Sequence, residues 1–244
     1  MHALSASELL DVWERGLNQP PARRALTLLS AACPEIPLDS LTLLTVGDRD
    51  ARLTKLREWI FGNELICLAS CERCGERLEL IVNTADIHAS SGTEVAERVS
   101  FSFNDYEVVF RLPNSLDLFA IADSPSIEKG IDLLLERCIS KAECRRKRFS
   151  AEQLPAPVKE ALIRQMGQMD KSGDIRFELN CPQCGHIAQT VFDIESFFWK
   201  EINAWANRIL KEVHTLASTY GWSEGEILSM SSWRRQVYLS FIGA

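Results

Sequence analysis

Two short stretches of the chain share one form: Cys71-Glu-Arg-Cys74-Gly75 and Cys181-Pro-Gln-Cys184-Gly185. Each lies between two short runs of aliphatic and β-branched residues, a pattern that predicts two strands joined by a tight turn. The glycine after the second cysteine supports this interpretation, because a turn that folds back on itself needs a residue that tolerates positive φ. The chain therefore contains a weak internal repeat of two strand–turn–strand units.

The repeated turns predict a metal site. A short spacer lets both sulfur atoms of a CxxC turn reach the same ion, and zinc prefers tetrahedral ligation by thiolates. Two such turns supply a closed ligand set with no open position for catalysis. We therefore predict zinc as the cofactor, bound by Cys71, Cys74, Cys181 and Cys184. The alternative is a buried or redox-active thiol pair in each turn, but redox CxxC motifs usually begin a helix in a βαβ unit.

The separation of the two turns is unusual for a zinc ribbon. Residues 75–180 lie between them, whereas an ordinary ribbon has a much shorter spacer. Either the spacer contains an inserted subdomain, or the two units form separate hairpins. We call the predicted arrangement a split zinc ribbon.

The remaining cysteines suggest simpler roles. Cys33, Cys67 and Cys138 lie among apolar residues, which predicts thiols in the core. Cys144 precedes the basic run Arg145-Arg146-Lys147-Arg148, and such a run is typical of a solvated loop. A metal pair formed by Cys138 and Cys144 stays open as an alternative.

Hydrophobic periodicity predicts the elements around the turns. Apolar residues at steps of three or four indicate helices, and alternation indicates strands. A long apolar stripe predicts a helix of roughly seven turns that ends at Gly221, followed by the capping box Ser223-x-x-Glu226. The other predicted helices cover residues 9–17, 23–32, 50–61, 127–139, 157–169 and 231–242, and the predicted strands cover residues 66–69, 78–82, 101–112, 175–179 and 187–192.

These elements divide the chain into three predicted regions. They are an N-terminal helical region (1–65), a zinc-ribbon β subdomain with an inserted α/β segment (66–194) and a C-terminal helical region (195–244). The predicted fold class is α+β, with a split zinc-ribbon β subdomain between an N-terminal helical region and a C-terminal helical hairpin. In this arrangement the ribbon holds the two helical regions together.

The composition argues against several function classes. The chain has 244 residues, of which 46% are hydrophobic, enough for a substantial core. Its net charge of −7 disfavours general affinity for nucleic acid or for an anionic membrane. No apolar run approaches the ~20 residues of a membrane span, and the first residues lack the basic and apolar regions of a secretory signal. We therefore expect a cytoplasmic protein.

The usual catalytic motifs are missing from the sequence. It contains no nucleophile elbow, Walker-type loop, GxGxxG or HExxH. Its carboxylates are scattered, and its four histidines offer few candidates for acid–base chemistry. We expect a protein that is not an enzyme and has no small-molecule substrate.

Interaction with other proteins is the better interpretation. Four of the six tryptophans lie in the last fifth of the chain, and Trp233-Arg234-Arg235 opens the final predicted helix. Tryptophan and arginine often anchor protein interfaces, so we predict partner contacts by Trp222, Trp233, Arg234 and Arg235. We expect Trp233 to lie half in the core and the two arginines to make the contact. The alternative is that these side chains pack the helical end of the chain.

Several stretches together resemble a known family. They are residues 9–16 (LLDVWERG), 57–62 (REWIFG), 71–79 (CERCGERLE), 110–118 (FRLPNSLDL), 181–186 (CPQCGH) and 212–228 (EVHTLASTYGWSEGEIL). This succession is similar to the T-even phage baseplate protein family, whose members include hub assembly proteins. Relatives occur in gene clusters for phage tails and contractile injection systems. The resemblance covers nearly the whole chain and is most specific over residues 212–242.

The resemblance implies a non-enzymatic role in building or forming a baseplate. Its implied partners are baseplate or tail proteins, and its implied location is the cytoplasm or the baseplate of a particle. It leaves open whether the protein stays in the particle or leaves as a chaperone. Two other functions remain as alternatives: a zinc-ribbon adaptor in transcription or nucleic-acid binding, and a hydrolase whose site is not visible in the sequence.

Overall fold

The computed structural model of the protein describes residues 1–88 and 98–242. They form two compact units. The first unit contains the chain up to Ile36 and from Ile194 onward, and the second runs from Pro37 to Asp193. The three predicted regions divide the chain differently, at residues 65 and 194. Because compactness does not show which segments fold independently, the division into three domains stays a prediction.

Helices and small antiparallel sheets confirm the α+β class. The helices are α1 Ala6–Gly16, α2 Pro21–Ala32, α3 Leu38–Thr42, α4 Val46–Phe61, α5 Thr84–His88, α6 Ser115–Ile121, α7 Ile127–Cys138, α8 Ala156–Met169, α9 Ile194–Tyr220, α10 Glu224–Leu228 and α11 Ser232–Ile242. The strands are β1 Glu64–Ser70, β2 Arg77–Asn83, β3 Val99–Phe103, β4 Tyr106–Phe110, β5 Ile139–Cys144, β6 Lys147–Arg148, β7 Arg176–Asn180 and β8 Ile187–Val191. Within the described residues, no helix has both the length and the apolarity of a membrane span.

The first unit is helical and is built on the apolar stripe of α9. Phe198, Ile202, Ile209 and Leu216 on this stripe are buried, which agrees with the predicted periodicity. The helices α1, α2, α10 and α11 pack against α9. The predicted capping box at Ser223 is present, because its hydroxyl accepts the N–H of Glu226 and the Glu226 carboxylate accepts the N–H of Ser223.

The described part of the second unit contains three separate sheets. Two of them are the hairpins β1–β2 and β7–β8, and the third has the strand order β3-β4-β5-β6. The prediction of one strand over residues 101–112 is wrong. The chain reverses at Asn104-Asp105, between β3 and β4, and Asn104 has a φ of 51°. Alternation signals a strand without marking where it turns, and asparagine adopts this left-handed conformation at little cost.

A buried carboxylate joins three elements of the second unit. Asp117 in α6 is fully buried and accepts hydrogen bonds from Arg111 (2.5 and 2.9 Å), from Nε of Arg137 (2.8 Å) and from the N–H of Asn114 (3.0 Å). These partners lie just after β4, at the end of α7 and at the N-cap of α6. The helix α6 is not among the predicted helices, although Asn114-x-x-Asp117 is a capping box that marks its start.

A second carboxylate holds together the segments that lead to the two CxxC turns. Asp170 follows α8 and accepts the N–H of Gly47 (2.9 Å) and the hydroxyl of Thr45 (3.4 Å) at the start of α4. The helix α4 leads into β1, and the chain after Asp170 leads into β7. A Cβ atom at position 47 would overlap the Asp170 carboxylate. Glycine is therefore required here for close approach.

The first prediction tests this contact. Replacing Gly47 by alanine should lower the free energy of unfolding by about 1–3 kcal/mol, because the added methyl group overpacks the contact with Asp170. The matched control is Gly167→Ala in α8, where the nearest heavy atom to the added Cβ lies 4.0 Å away. The control should stabilise the helix by about 0.5–1 kcal/mol. Equal melting temperatures for the two variants would contradict this role of Gly47.

The second prediction concerns the loss of folding stability at low pH. Burial acts to raise the pKa of Asp117, but hydrogen bonds from Arg111, Asn114 and Arg137 outweigh it and lower the pKa. The stabilisation is therefore present above the unfolded pKa of about 3.9 and is lost as the pH falls through the lower folded pKa. Asp117→Asn should lose about 2–3 kcal/mol at pH 7 and show a weaker acid dependence. Denaturant unfolding between neutral and acid pH would measure both, and identical pH profiles would contradict the assignment.

Candidate metal centre

The first CxxC turn joins β1 to β2. The N–H of Gly75 donates to the carbonyl oxygen of Cys71 at 2.8 Å, and the N–H of Cys71 donates to the carbonyl oxygen of Glu76 at 2.8 Å. Gly75 has a φ of 76°, and a Cβ atom there would meet no neighbour within 4 Å. The glycine is thus required for its backbone conformation and not for space.

The second turn, between β7 and β8, repeats this geometry. The N–H of Gly185 donates to the carbonyl oxygen of Cys181, and the N–H of Cys181 donates to that of His186, both at 2.9 Å. The φ of Gly185 is 67°. The two turns therefore have the same hydrogen bonds at equivalent positions, as the repeat in the sequence predicts.

All four cysteines that the sequence predicts as ligands lie together. The Sγ atoms of Cys71 and Cys184 are 3.7 Å apart, those of Cys74 and Cys181 are 3.6 Å apart, and all four lie within 4.8 Å of one another. Four sulfurs bound tetrahedrally at 2.3 Å would be separated by about 3.8 Å. A disulfide requires about 2.05 Å. The donor set therefore fits one metal ion and does not fit disulfides.

The electrostatics of the cluster favour a bound cation. The backbone N–H of Cys74 donates to the sulfur of Cys71 and lowers the pKa of Cys71 to about 6. For Cys74 the N–H of Glu76 acts in the same direction, but burial and the three neighbouring sulfurs outweigh it and raise the pKa to about 12. Four thiolates at these distances repel one another unless a cation compensates their charge.

Apolar side chains of the two hairpins pack together in one cluster with the cysteines. Leu78 of one hairpin and Leu179 of the other are buried with Cys71 and Cys181, and Leu80 packs against them. Among the described residues, no strand of one hairpin pairs with a strand of the other. The two strand–turn–strand repeats are thus separate hairpins. The chain between them contains the four-stranded sheet and the helices α6–α8.

The alternative metal pair of Cys138 and Cys144 is wrong. Cys138 ends α7 and Cys144 ends β5, so a strand of about 20 Å separates them. Burial and the charge of Asp117 raise the pKa of Cys138 to about 12, which leaves an unreactive thiol. Cys33 is also buried, as expected of a core thiol, and Cys67 is half-buried on β1.

The predicted partner residues near the C-terminus have different environments. Trp222 is half-buried and stacks on Tyr220 with ring centroids 4.5 Å apart. Arg235 is only 5% exposed, and its guanidinium donates to Glu212 (3.2 Å) and to the carbonyl oxygen of Met230 (2.6 Å). Both side chains therefore pack within the helical unit.

The other two residues predicted to contact a partner, Trp233 and Arg234, lie at the surface. Trp233 is 76% exposed, so the expectation that it lies half in the core is wrong. It occupies the first turn of α11, and the helix buries Arg235 instead. Arg234 is exposed, with its guanidinium 5.7 Å from the centroid of the Tyr238 ring.

Comparison with known proteins identifies the family. A family model described as T4 bacteriophage base plate protein matches residues 22–199, which is more than half of the chain. The chain belongs to this family. The match confirms the resemblance seen in the sequence and includes both CxxC turns of this baseplate protein. Residues 212–242, where that resemblance is most specific, lie outside the match. No curated protein and no solved structure matches the chain.

Proposed function

We propose that this baseplate-family protein is a zinc-stabilised, non-enzymatic assembly or structural component of a phage-like tail baseplate or contractile injection system. The family match over residues 22–199 carries the proposal. The protein acts through contacts with other baseplate or tail proteins, and its place of action is the particle or the cytoplasm in which the particle assembles.

The ligand set supports zinc as the ion. Soft thiolate ligands and tetrahedral geometry favour zinc, and four cysteines from two turns form the closed set of a structural site. In the described part of the chain each hairpin has two strands, and an isolated two-stranded hairpin is marginally stable at best. A zinc ion shared by the two turns would hold the hairpins together as a split zinc ribbon.

A structural role agrees with the contacts of two carboxylates, the buried Asp117 and the half-buried Asp170. Asp117 is neutralised by two arginines, and Asp170 accepts hydrogen bonds at the start of α4. Both groups join elements of the fold. The closed cysteine set likewise leaves no open coordination position for a substrate. These observations favour contacts with partners over catalysis.

The exposed face of α11 is the proposed contact with a partner. Trp233 and Phe241 are 76% and 61% exposed, and Val237 lies between them at helical spacing. Arg234 stands beside this stripe. The Trp222 ring packs edge-on against Tyr238, with ring centroids 4.8 Å apart, and Tyr238 in turn packs edge-on against Phe241 at 6.3 Å. An exposed tryptophan beside an arginine is typical of an interface anchor.

The third prediction concerns the ion. The purified protein should contain one zinc per chain, measured by elemental analysis, and Cys181→Ser should lower both the zinc content and the melting temperature. Structural zinc contributes on the order of 10 kcal/mol in peptides, so the loss should be large. The matched control is Cys144→Ser, since Cys144 is a free cysteine outside the cluster. Metal-free protein with an unchanged melting temperature would exclude a stabilising zinc.

The fourth prediction separates binding from folding. The double variant Trp233→Ala/Arg234→Ala should keep the stability of the monomer within about 0.5 kcal/mol, because both side chains are exposed. It should weaken association with tail or baseplate proteins from the same gene cluster by about 2 kcal/mol or more. Co-expression followed by affinity purification and titration measures this.

Arg235→Ala serves as the contrasting control. It removes the buried ion pair with Glu212 and should destabilise the monomer by about 1.5–3 kcal/mol. Recovery of the same partners at equal strength from the double variant would rule out the binding role of α11. Failure of the wild-type chain to associate with any tail protein would instead count against the baseplate function itself.

A further inference from the structure

The turn between β5 and β6 carries an unusual pair of residues. Cys144 pairs with Lys147, so the loop consists of Arg145 and Arg146 alone. Their φ angles are 49° and 67°, both in the left-handed region. A two-residue hairpin loop with two left-handed residues normally contains asparagine and glycine, because other side chains are strained there.

Arg145 has a structural explanation. Its Nε and Nη2 donate to Oδ2 of Asp105 at 3.0 and 2.7 Å. Asp105 belongs to the turn between β3 and β4, and this turn lies at the same end of the sheet because Tyr106 pairs with Cys144. The ion pair therefore ties two neighbouring turns together and holds the loop in place.

Arg146 and Lys147 have no comparable partner. Both are exposed, and no carboxylate among residues 1–88 and 98–242 pairs with either of them. The Lys147 ammonium lies 5.6 Å from the ring of Phe149, which packs edge-on against Tyr106. The turn thus presents two cations without a carboxylate partner in the described residues, and one of them, Lys147, lies beside an aromatic ring.

No contact within residues 1–88 and 98–242 accounts for an arginine at position 146. Its side chain is exposed, and glycine would adopt the same backbone conformation without strain. Strained residues that persist without a structural reason are concentrated at functional sites. The strain, the exposure and the free charge together indicate a binding role.

We propose that Arg146 and Lys147 form a docking tip for an acidic, carboxylate-bearing segment of a partner protein. The planar guanidinium of Arg146 fits a carboxylate in a two-pronged hydrogen bond, and Lys147 adds a second charge beside an aromatic ring. This tip belongs to the second unit, whereas α11 belongs to the first. The inference rests on the turn itself and does not require the proposed baseplate function.

The charges around the tip favour an acidic protein over nucleic acid. Arg145 and Arg148 are already paired with Asp105 and Glu143, so among the described residues of this turn two cations, Arg146 and Lys147, are left for a ligand. Affinity for nucleic acid grows with the number of phosphates that cations neutralise. Two cations on a chain with a net charge of −7 therefore provide little affinity for nucleic acid.

The fifth prediction tests the tip with defined ligands. A labelled peptide of about ten glutamates and a single-stranded oligonucleotide of equal charge would be titrated by fluorescence anisotropy at low ionic strength, where exposed charges are least screened. The wild-type protein should bind the peptide more tightly than the oligonucleotide. Arg146→Gly and Lys147→Gln should each weaken peptide binding up to about fivefold, the effect of one exposed ion pair.

Stability measurements complete the test. The melting temperature of Arg146→Gly should be unchanged or raised by about 2–4 °C, since glycine removes the strain. Arg164→Gln, which removes an exposed arginine from α8, should leave peptide binding unchanged. A lower melting temperature for Arg146→Gly would overturn the proposal, because the arginine would then serve folding. Equal peptide binding by the tip variants and the wild type, or tighter binding of the oligonucleotide, would also overturn it.

Discussion

The meeting of two β-hairpins is the constraint on which the second unit depends. Their cysteines approach within 3.7 Å although they lie 107 and 113 residues apart in the chain. In the described residues no backbone ladder joins the hairpins, so side chains must hold them. Bringing distant segments together costs chain entropy. A cation among the four sulfurs would offset this cost and their mutual repulsion at the same time.

Two carboxylates, Asp117 (buried) and Asp170 (half-buried), join segments of this unit. Asp170 joins the segments that lead to the hairpins, and Asp117 joins β4, α6 and α7 through two arginines. Both accept hydrogen bonds from groups of the chain itself, and the fully buried Asp117 requires such partners. The side chains proposed for recognition, Trp233 and Arg146, are exposed and belong to different units.

Local patterns in the sequence predicted some elements well and missed others for definite reasons. The stripe of α9, the capping box at Ser223 and the hairpins around the CxxC turns are local features, and the structure contains all of them. The reversal at Asn104 was missed because alternation continues on both sides of the turn. The helix α6 was missed because its signal, Asn114 with Asp117, is short and was not followed by a long apolar stripe.

The sequence by itself determined the four cysteines as a candidate ligand set, since a CxxC turn followed by glycine has the same local geometry wherever it occurs. It also determined the α+β class, because helical and strand periodicities are read over a few residues. Only the tertiary structure decided that the sulfurs of the two turns meet, that Arg235 is buried while Trp233 is exposed, and that Gly47 must approach Asp170. Each of these three findings depends on contacts between residues far apart in the chain. Packing brings such residues together, and a local sequence pattern carries no information on packing.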